Sequence, residues 1–225
     1  MSAFVTMTAE KIESERRRSR PVEKPKKVAV IKRNKARIGI ILVIIAMIII
    51  AALAVIYIHP AKNRIAVIDT TMGTIRVELY EDKMPITTAN FIKLVKGGFY
   101  NGLIFHRIKD DFMIQGGGYY PNGTKKTDLY DPISFETNPD VTHVDGAISM
   151  ASTGTKVGGS AEFFICDGAQ HELDGNYAAF GVVIEGMNVV QEIAATPNDG
   201  SLEPNPGGGK PLTDIIINSI TIENQ

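Results

Sequence analysis

The chain has 225 residues, with 24 Lys and Arg against 25 Asp and Glu and a single cysteine. This length predicts one domain with an appendage. One cysteine excludes an intramolecular disulfide, so the domain has to be stabilised by its hydrophobic core. The small net charge hides an uneven distribution, because residues 1–37 carry a net charge of +8 and the rest of the chain −9. This division indicates a basic tail joined to an acidic body.

An uncharged apolar segment, residues 38–58, separates these two parts and reads IGIILVIIAMIIIAALAVIYI. As a helix with about 1.5 Å rise per residue, it would span roughly 30 Å, the thickness of the hydrocarbon core of a bilayer. A buried helix of that length would show a polar face, and this segment shows none. A cleaved signal peptide is the alternative, but its apolar region is usually about 7–15 residues long. We therefore expect an uncleaved, single-pass transmembrane helix that lies in the lipid bilayer.

The charges that flank this segment predict its orientation. Seven Lys and Arg residues lie between Lys24 and Arg37, whereas only Lys62 and Arg64 follow closely behind it. By the positive-inside rule, residues 1–37 form a cytoplasmic tail, and the main domain lies on the outer side of the membrane. The composition of the tail predicts disorder. We expect no nucleic-acid role for it, because no aromatic residues are interleaved with its basic run.

After a short linker at residues 59–64, apolar and polar residues begin to alternate. The segment RIAVIDTTMGTIRVELY predicts a β-hairpin with its turn at Thr70–Gly73. The segment MPITTANFIKLVKGGFY predicts a helix that begins near Pro85 and ends at Gly97. A second helix is expected from Gly186, and TDIIINSITIE predicts a last strand. Between the helices we expect short strands at Leu103–Arg107, Phe112–Gln115, Ile133–Phe135, Ala147–Ala151, Glu162–Cys166 and Ala179–Ile184.

Many short strands with only two helices predict a mainly β domain, a closed barrel whose ends are covered by the helices. Neither a phosphate loop nor a hydrolase elbow is present, because Gly116–Gly118 lacks a following GK[ST] and Ser160 lacks a G-x-S-x-G frame. Cys166 ends an apolar run, so we expect it to be a small buried side chain and not a nucleophile.

Four separated motifs follow one another along the domain: FHRIKDDFMIQGG (Phe105–Gly117), GAISMAS (Gly146–Ser152), SAEFFIC (Ser160–Cys166) and LDGNYAAFGVVIEGMNVV (Leu173–Val190). In order and spacing they resemble the cyclophilins, which are peptidyl-prolyl cis–trans isomerases. The resemblance extends over about residues 65–222. It implies a domain at residues 65–223 with the cyclophilin-like fold, an eight-stranded antiparallel β-barrel capped by two α-helices.

The resemblance also implies which residues form the site. It makes Arg107 the catalytic arginine, which Gln115 on the next strand helps to hold. Strand alternation predicts that His106 faces away from Arg107. The residues that would bind substrate are Phe112, Met113, Ala151, Glu162, Phe164, Leu173 and Tyr177.

Three matched positions depart from the common cyclophilin pattern. Glu162 stands where the family usually has Gln, Glu172 where animal cyclophilins have Trp, and Tyr177 where many members have His. The last two resemble prokaryotic-type members and put cyclosporin binding in doubt. A carboxylate at Glu162 is expected either to pair with Arg107, which would weaken its hold on substrate, or to point to solvent.

The sequence therefore predicts a membrane-tethered isomerase that assists protein folding, with proline-containing polypeptides as partners. Rotation about a peptide bond makes and breaks no covalent bond, so we expect no cofactor and no metal. One alternative is a cyclophilin-like module that binds proline-containing peptides with weak turnover, which Glu162 favours. Another is a structural barrel that presents its acidic surface to a membrane complex.

Overall fold

The computed structural model describes residues 37–51, 63–126, 131–201 and 207–224. The chain divides into two compact units, Met1–Pro60 and Ala61–Gln225. In the first unit, residues 37–51 form a helix whose side chains are exposed. The remainder of the apolar segment, residues 52–58, lies outside the described residues, as do residues 1–36 and 59–62. In the part of the chain that is described, no helix has both the length and the apolar character needed to cross a membrane.

In the second unit, eight described strands form one curled antiparallel sheet. They are β1 (Ile65–Thr70), β2 (Gly73–Leu79), β3 (Ile104–Lys109), β4 (Met113–Tyr119), β5 (Ala147–Met150), β6 (Phe163–Cys166), β7 (Ala178–Glu185) and β8 (Ile217–Glu223). Their order across the sheet is β3-β4-β6-β5-β7-β2-β1-β8. The sheet curls until its edges meet at one end, where the Phe105 N–H donates to the Ile215 carbonyl (3.0 Å) and the Ile217 N–H donates to the Leu103 carbonyl (2.8 Å). The predicted eight antiparallel strands are confirmed. The predicted full closure is not, because among the described residues β3 and β8 are joined only by an isolated bridge at Ile104 and Ile216, and the sheet is a partial barrel.

The two helices predicted within this domain are confirmed as α1 (Pro85–Lys96) and α2 (Met187–Ala194). Pro85 suits the first turn of α1, because the backbone N–H groups of a first turn have no partner within the helix. Each helix buries one apolar face, which includes Phe91 and Leu94 in α1 and Val190 in α2. A 3₁₀ turn at His171–Leu173 lies between β6 and β7.

Two hydrophobic clusters lie on opposite faces of the sheet. Ile114 and Ile165 belong to the larger cluster, which also contains the fully buried ring of Phe163. Their sequence neighbours Met113 and Cys166 belong to a smaller cluster. Because successive side chains of a strand point to opposite faces, the same two strands supply both clusters. The smaller cluster forms the floor of the site described below.

The prediction of a strand at Ile133–Phe135 is wrong. These residues are described, and they belong to none of the eight strands of the sheet. They pack against a glycine loop instead, where the Ile133 N–H donates to the Gly159 carbonyl at 3.0 Å. A Cβ added at Gly158 would lie 1.6 Å from the Ile133 carbonyl oxygen, so the two segments touch backbone to backbone. A short apolar run becomes a strand only where a second strand can pair with it.

Gly186 joins β7 to α2 in a conformation that other residues rarely adopt. Its φ is 88°, and an added Cβ would lie 2.3 Å from the Thr74 carbonyl oxygen. Left-handed backbone costs a non-glycine residue about 1–2 kcal/mol, and overpacking against a fixed neighbour costs about 1–3 kcal/mol more. We therefore expect Gly186→Ala to lower the free energy of unfolding by about 3 kcal/mol in urea denaturation.

Gly102→Ala is the matched control. Gly102 also has a positive φ of 77°, but a Cβ there would meet no atom within 4 Å. Gly102→Ala should therefore lower the free energy of unfolding only by the cost of backbone strain, about 1 kcal/mol. Equal losses in the two variants would contradict the collision with Thr74.

Candidate active site

A β-bulge in β3 determines where Arg107 points. Arg107 pairs with Gln115 on β4, and the register shifts between Phe105 and Arg107, so His106 is an extra residue in the strand. The bulge allows Phe105 and Ile108, three positions apart, both to be fully buried in the larger core while Arg107 lies on the other face. The prediction that His106 faces away from Arg107 is wrong, because both side chains line the same cleft.

One row of cross-strand pairs carries the site across β3, β4 and β6. Arg107 pairs with Gln115, and Gln115 pairs with Phe164. Directly paired residues project from the same face of a sheet. A guanidinium, an amide and an aromatic ring therefore stand side by side.

A cleft of about 340 Å³ opens over this row, and we term it the apolar cleft. Its lining residues are Arg107, Phe112, Met113, Gln115, Ala151, Ser152, Phe164, Leu173 and Tyr177. Eight of the nine site residues predicted from the sequence are in this set, and Glu162 is the exception. Cys166 lies in the floor cluster with Met113 and Phe164. Burial raises the pKa of the Cys166 thiol to about 12, which agrees with the prediction of an inert core side chain.

A second cleft of about 470 Å³ adjoins the first, and we term it the polar cleft. Arg107, Gln115, Ala151 and Ser152 line both clefts. The polar side chains that line only the second include His106, Tyr119, Lys125 and Glu162. Apart from Glu162, this group contains no residue that the sequence indicated as a site residue, because isolated polar residues in strands and loops give no signal of a shared cleft.

Arg107 is held in place and retains its charge. Its Nη1 donates to Gln115 Oε1 at 2.8 Å. Burial lowers the pKa of the Arg107 guanidinium below its ordinary value, while an electrostatic interaction with the Tyr177 side chain opposes this shift. An arginine side chain nevertheless stays protonated in proteins. Among the described residues, no carboxylate forms a salt bridge with Arg107.

Glu162 occupies neither of the positions expected for it. Its Oε2 accepts a hydrogen bond from Gln115 Nε2 at 3.0 Å and lies 3.4 Å from His106 Nε2, while its Oε1 lies 3.4 Å from Lys125 Nζ. Its side chain is only 18% exposed. Burial acts to raise the pKa of Glu162, but His106, Lys125 and the Gln115 bond together hold that pKa below its usual value. The carboxylate is therefore ionised at neutral pH and reaches Arg107 only through Gln115.

Comparison with known proteins identifies the family. The family model described as "Cyclophilin type peptidyl-prolyl cis-trans isomerase/CLD" matches residues 65–222. The chain belongs to the cyclophilin family. This cyclophilin is 40% identical over 144 residues to a peptidyl-prolyl cis-trans isomerase of Acinetobacter baylyi, a match that covers 62% of this chain and 76% of that protein. It is 36% identical over 163 residues to peptidyl-prolyl cis-trans isomerase B of Escherichia coli, covering 68% of this chain and 96% of that protein.

Solved structures agree with this assignment. A crystal structure of a cyclophilin type peptidyl-prolyl cis-trans isomerase from Cryptosporidium parvum matches with a TM-score of 0.59 and 29% identity, covering 72% of this chain and 98% of that one. The same protein in the presence of the dipeptide Ala-Pro matches with the same TM-score of 0.59. The cyclophilin domain of this chain is a peptidyl-prolyl cis–trans isomerase.

His143 supports the apolar cleft of this cyclophilin from behind, a role that no sequence motif indicated. Its ring stacks on Phe164 with centroids 5.9 Å apart and an interplanar angle of 10°. Its Nδ1 lies 2.9 Å from Asp174 Oδ1, and its backbone N–H donates to the same oxygen at 2.7 Å. Since Asp174 directly follows Leu173, His143 links two walls of the cleft, Phe164 and Leu173.

The side chains of Ser149, His143 and Asp174 are connected in the order of a hydrolase triad. His143 Nε2 lies 3.1 Å from Ser149 Oγ, and Nδ1 lies 2.9 Å from Asp174 Oδ1. Ser149 is fully buried, however, and His143 is only 1% exposed. A nucleophile must contact its substrate, so this set of bonds is structural.

Protonation of His143 should destabilise the cyclophilin domain. Burial lowers the pKa of His143, although Asp174 opposes the shift, so the unfolded chain binds this proton more readily than the folded domain does. The contribution of neutral His143 to the free energy of unfolding is fully present above pH 6.5, the ordinary pKa of histidine. It decreases as the pH falls below that value. We expect the free energy of unfolding to fall between pH 7.5 and 5.5, with a slope of at most about 1.4 kcal/mol per pH unit for one proton.

Urea denaturation across this pH range measures the slope. His143→Asn keeps a donor for Asp174 but cannot titrate, so it should remove the contribution of His143 to the slope. His171→Asn is the control, because the side chain of His171 also contacts Asp174 but is 62% exposed. If the slope is unchanged in His143→Asn, protonation of His143 is not the cause of the pH dependence.

Proposed function

We propose that this isomerase is tethered to a membrane by residues 38–58 and acts on X–Pro bonds of polypeptides at the outer face, with Arg107 as its catalytic donor. The observation that carries the catalytic part is the position of Arg107. Its guanidinium lies on the wall of an apolar cleft, is held by Gln115, and forms no salt bridge among the described residues. The charge therefore faces the space that a proline ring would fill.

The reaction needs a site that prefers a twisted amide. An X–Pro bond rotates over a barrier of about 18–20 kcal/mol, because rotation breaks amide resonance. When the amide twists, the lone pair of the proline nitrogen is no longer delocalised and can accept a hydrogen bond. A donor aimed at that nitrogen binds the transition state more tightly than either planar isomer, which is the condition for catalysis. Arginine suits this role because its planar group is permanently charged and can be held rigidly.

The apolar walls contribute in two ways. Phe112, Met113, Phe164 and Leu173 surround a space of suitable chemistry for a pyrrolidine ring. By excluding water they also lower the local dielectric constant, which strengthens the interaction between Arg107 and the developing lone pair. Ala151 and Ser152 line both clefts, so their backbone would lie along a substrate chain that passes from one cleft to the other.

The alternative function, a binding module with weak turnover, was favoured by Glu162, because a carboxylate at this position can pair with Arg107 and weaken its hold on substrate. In the described structure Glu162 is engaged by Gln115, His106 and Lys125 instead. This arrangement leaves Arg107 available to substrate and favours the enzyme. Proline-containing polypeptides are therefore the proposed substrates.

Replacing Arg107 tests the catalytic role. Loss of one preorganised donor typically costs about 10²–10³ in rate. We expect Arg107→Ala to lower kcat/KM for a proline-containing peptide by about 10²-fold or more, with the urea midpoint little changed. Arg76→Ala is the matched control, because Arg76 lies on β2 and its partners are Glu185 and Glu223, away from both clefts. Equal activity in the two variants would exclude Arg107 from the mechanism.

The proposed membrane tether is supported by the sequence of residues 38–58, which contains no charged residue, and by the helical conformation of residues 37–51. We expect the full-length protein to remain with membranes after an alkaline carbonate wash. A variant that lacks residues 38–58 should move to the supernatant, because the tether is lost. A variant that lacks residues 1–21 is the control and should stay with the membranes.

A membrane-bound protein after deletion of residues 38–58 would contradict the tether. The proposed orientation is tested separately by protease treatment of intact cells. The isomerase domain should be digested while a tag at the N-terminus stays protected. The reverse pattern would contradict the charge-based topology.

A further inference from the structure

Gln115 lies between one group that can only donate and one that can only accept. Arg107 Nη1 donates to its Oε1 at 2.8 Å, and its Nε2 donates to Glu162 Oε2 at 3.0 Å. A guanidinium has no acceptor and an ionised carboxylate has no donor. The amide of Gln115 can therefore satisfy both neighbours in one orientation only, with its carbonyl oxygen towards Arg107.

We propose that Glu162 is a positioning residue for isomerisation, because it holds the Gln115 amide in the orientation that presents its carbonyl oxygen to Arg107. The proposal rests on the proposed catalytic role of Arg107. Glu162 lines the polar cleft and not the apolar cleft, so it is not placed to contact the proline ring. Its effect on the reaction is exerted through Gln115.

The surroundings of Glu162 hold the carboxylate where this role requires it. His106 from β3 and Lys125 after β4 lie 3.4 Å from its two oxygens, and Arg107 and Tyr119 line the same cleft. Gly118 on β4 leaves room for it, because a Cβ added there would lie 2.5 Å from Glu162 Cδ. The carboxylate is thus fixed from three sides: β3, β4 and the segment that follows β4.

Without an acceptor at position 162, only Arg107 would orient the Gln115 amide, so the turned state would become more populated. In the turned state its Nε2 would face Arg107, so two donors would oppose each other and the guanidinium would lose its anchor. Binding of the planar substrate depends mainly on the apolar walls and should change little. The rate of the chemical step depends on a fixed donor, so the loss should appear in kcat and not in KM.

Two substitutions of similar length separate the hydrogen bond from the charge. Glu162→Met removes both the charge and the acceptor, whereas Glu162→Gln removes the charge and keeps an acceptor oxygen. Loss of a hydrogen bond to a charged group is worth about tenfold, so we expect Glu162→Met of the full-length protein to lower kcat about tenfold and to change KM less than about twofold. Glu162→Gln should lose only about threefold, because its own amide can turn either way.

A double-mutant cycle tests whether the effect passes through Gln115. In a Gln115→Ala background, Glu162→Met should cause no further loss of kcat, because there is no amide left to orient. A second, independent perturbation is Gly118→Ala, which displaces the carboxylate without altering Glu162 or Gln115. We expect it to lower kcat about tenfold as well, so the proposal can be tested even if Glu162→Met fails to fold.

The outcomes distinguish this inference from the proposed function. If Arg107→Ala retains activity, the catalytic role of Arg107 fails, and this proposal fails with it. If Arg107→Ala is impaired while Glu162→Met keeps or raises kcat, only the positioning role is overturned. Equal losses of kcat in Glu162→Met and Glu162→Gln would also overturn it, because the carboxylate would then act by its charge. A full effect of Glu162→Met in the Gln115→Ala background would overturn it too, because the carboxylate would then act without Gln115.

Discussion

The bulge in β3 is the constraint on which the site depends. Phe105 and Ile108 are both fully buried in the larger core although they are three residues apart, which regular alternation along a strand does not allow. The extra residue, His106, resolves this conflict and leaves Arg107 on the opposite face of the sheet, in register with Gln115. The hydrophobic core therefore fixes the direction of the cation, because any other direction would expose an apolar side chain.

The site combines a rigid charge with an apolar floor, and each depends on the other. Met113 and Phe164 line the same cleft as the guanidinium, and burial lowers the pKa of Arg107. A buried cation without partners would be costly, and the bond to Gln115 relieves part of that cost. The remaining hydrogen-bonding capacity faces the cleft, where a substrate can complete it. The proposed mechanism uses this free capacity, because rotation about the X–Pro bond needs a donor for the proline nitrogen and no covalent chemistry.

The sheet brings the guanidinium and the apolar floor together because its two faces pack different clusters. One face carries the aromatic core around Phe163, and the other carries the small cluster around Phe164. Behind that cluster, His143 stacks on Phe164 and is bonded to Asp174, beside Leu173. The walls of the cleft are thus supported by a buried polar contact as well as by packing, which restricts the positions that they can adopt.

The family, the antiparallel strands, both helices of the domain and eight of the residues that line the apolar cleft could be predicted from the sequence alone. They depend on local periodicity and on motifs that are contiguous along the chain. The failure at Ile133–Phe135 shows the limit of that reasoning, since a strand also needs a partner. The side on which His106 lies, the partner of Glu162 and the role of His143 became visible only in the folded domain. These features depend on a one-residue shift in register and on bonds between residues far apart, such as Gln115 with Glu162, 47 positions along the chain, and His143 with Asp174, 31 positions along it. No local pattern specifies such contacts, because they exist only once the sheet has curled and its faces have packed.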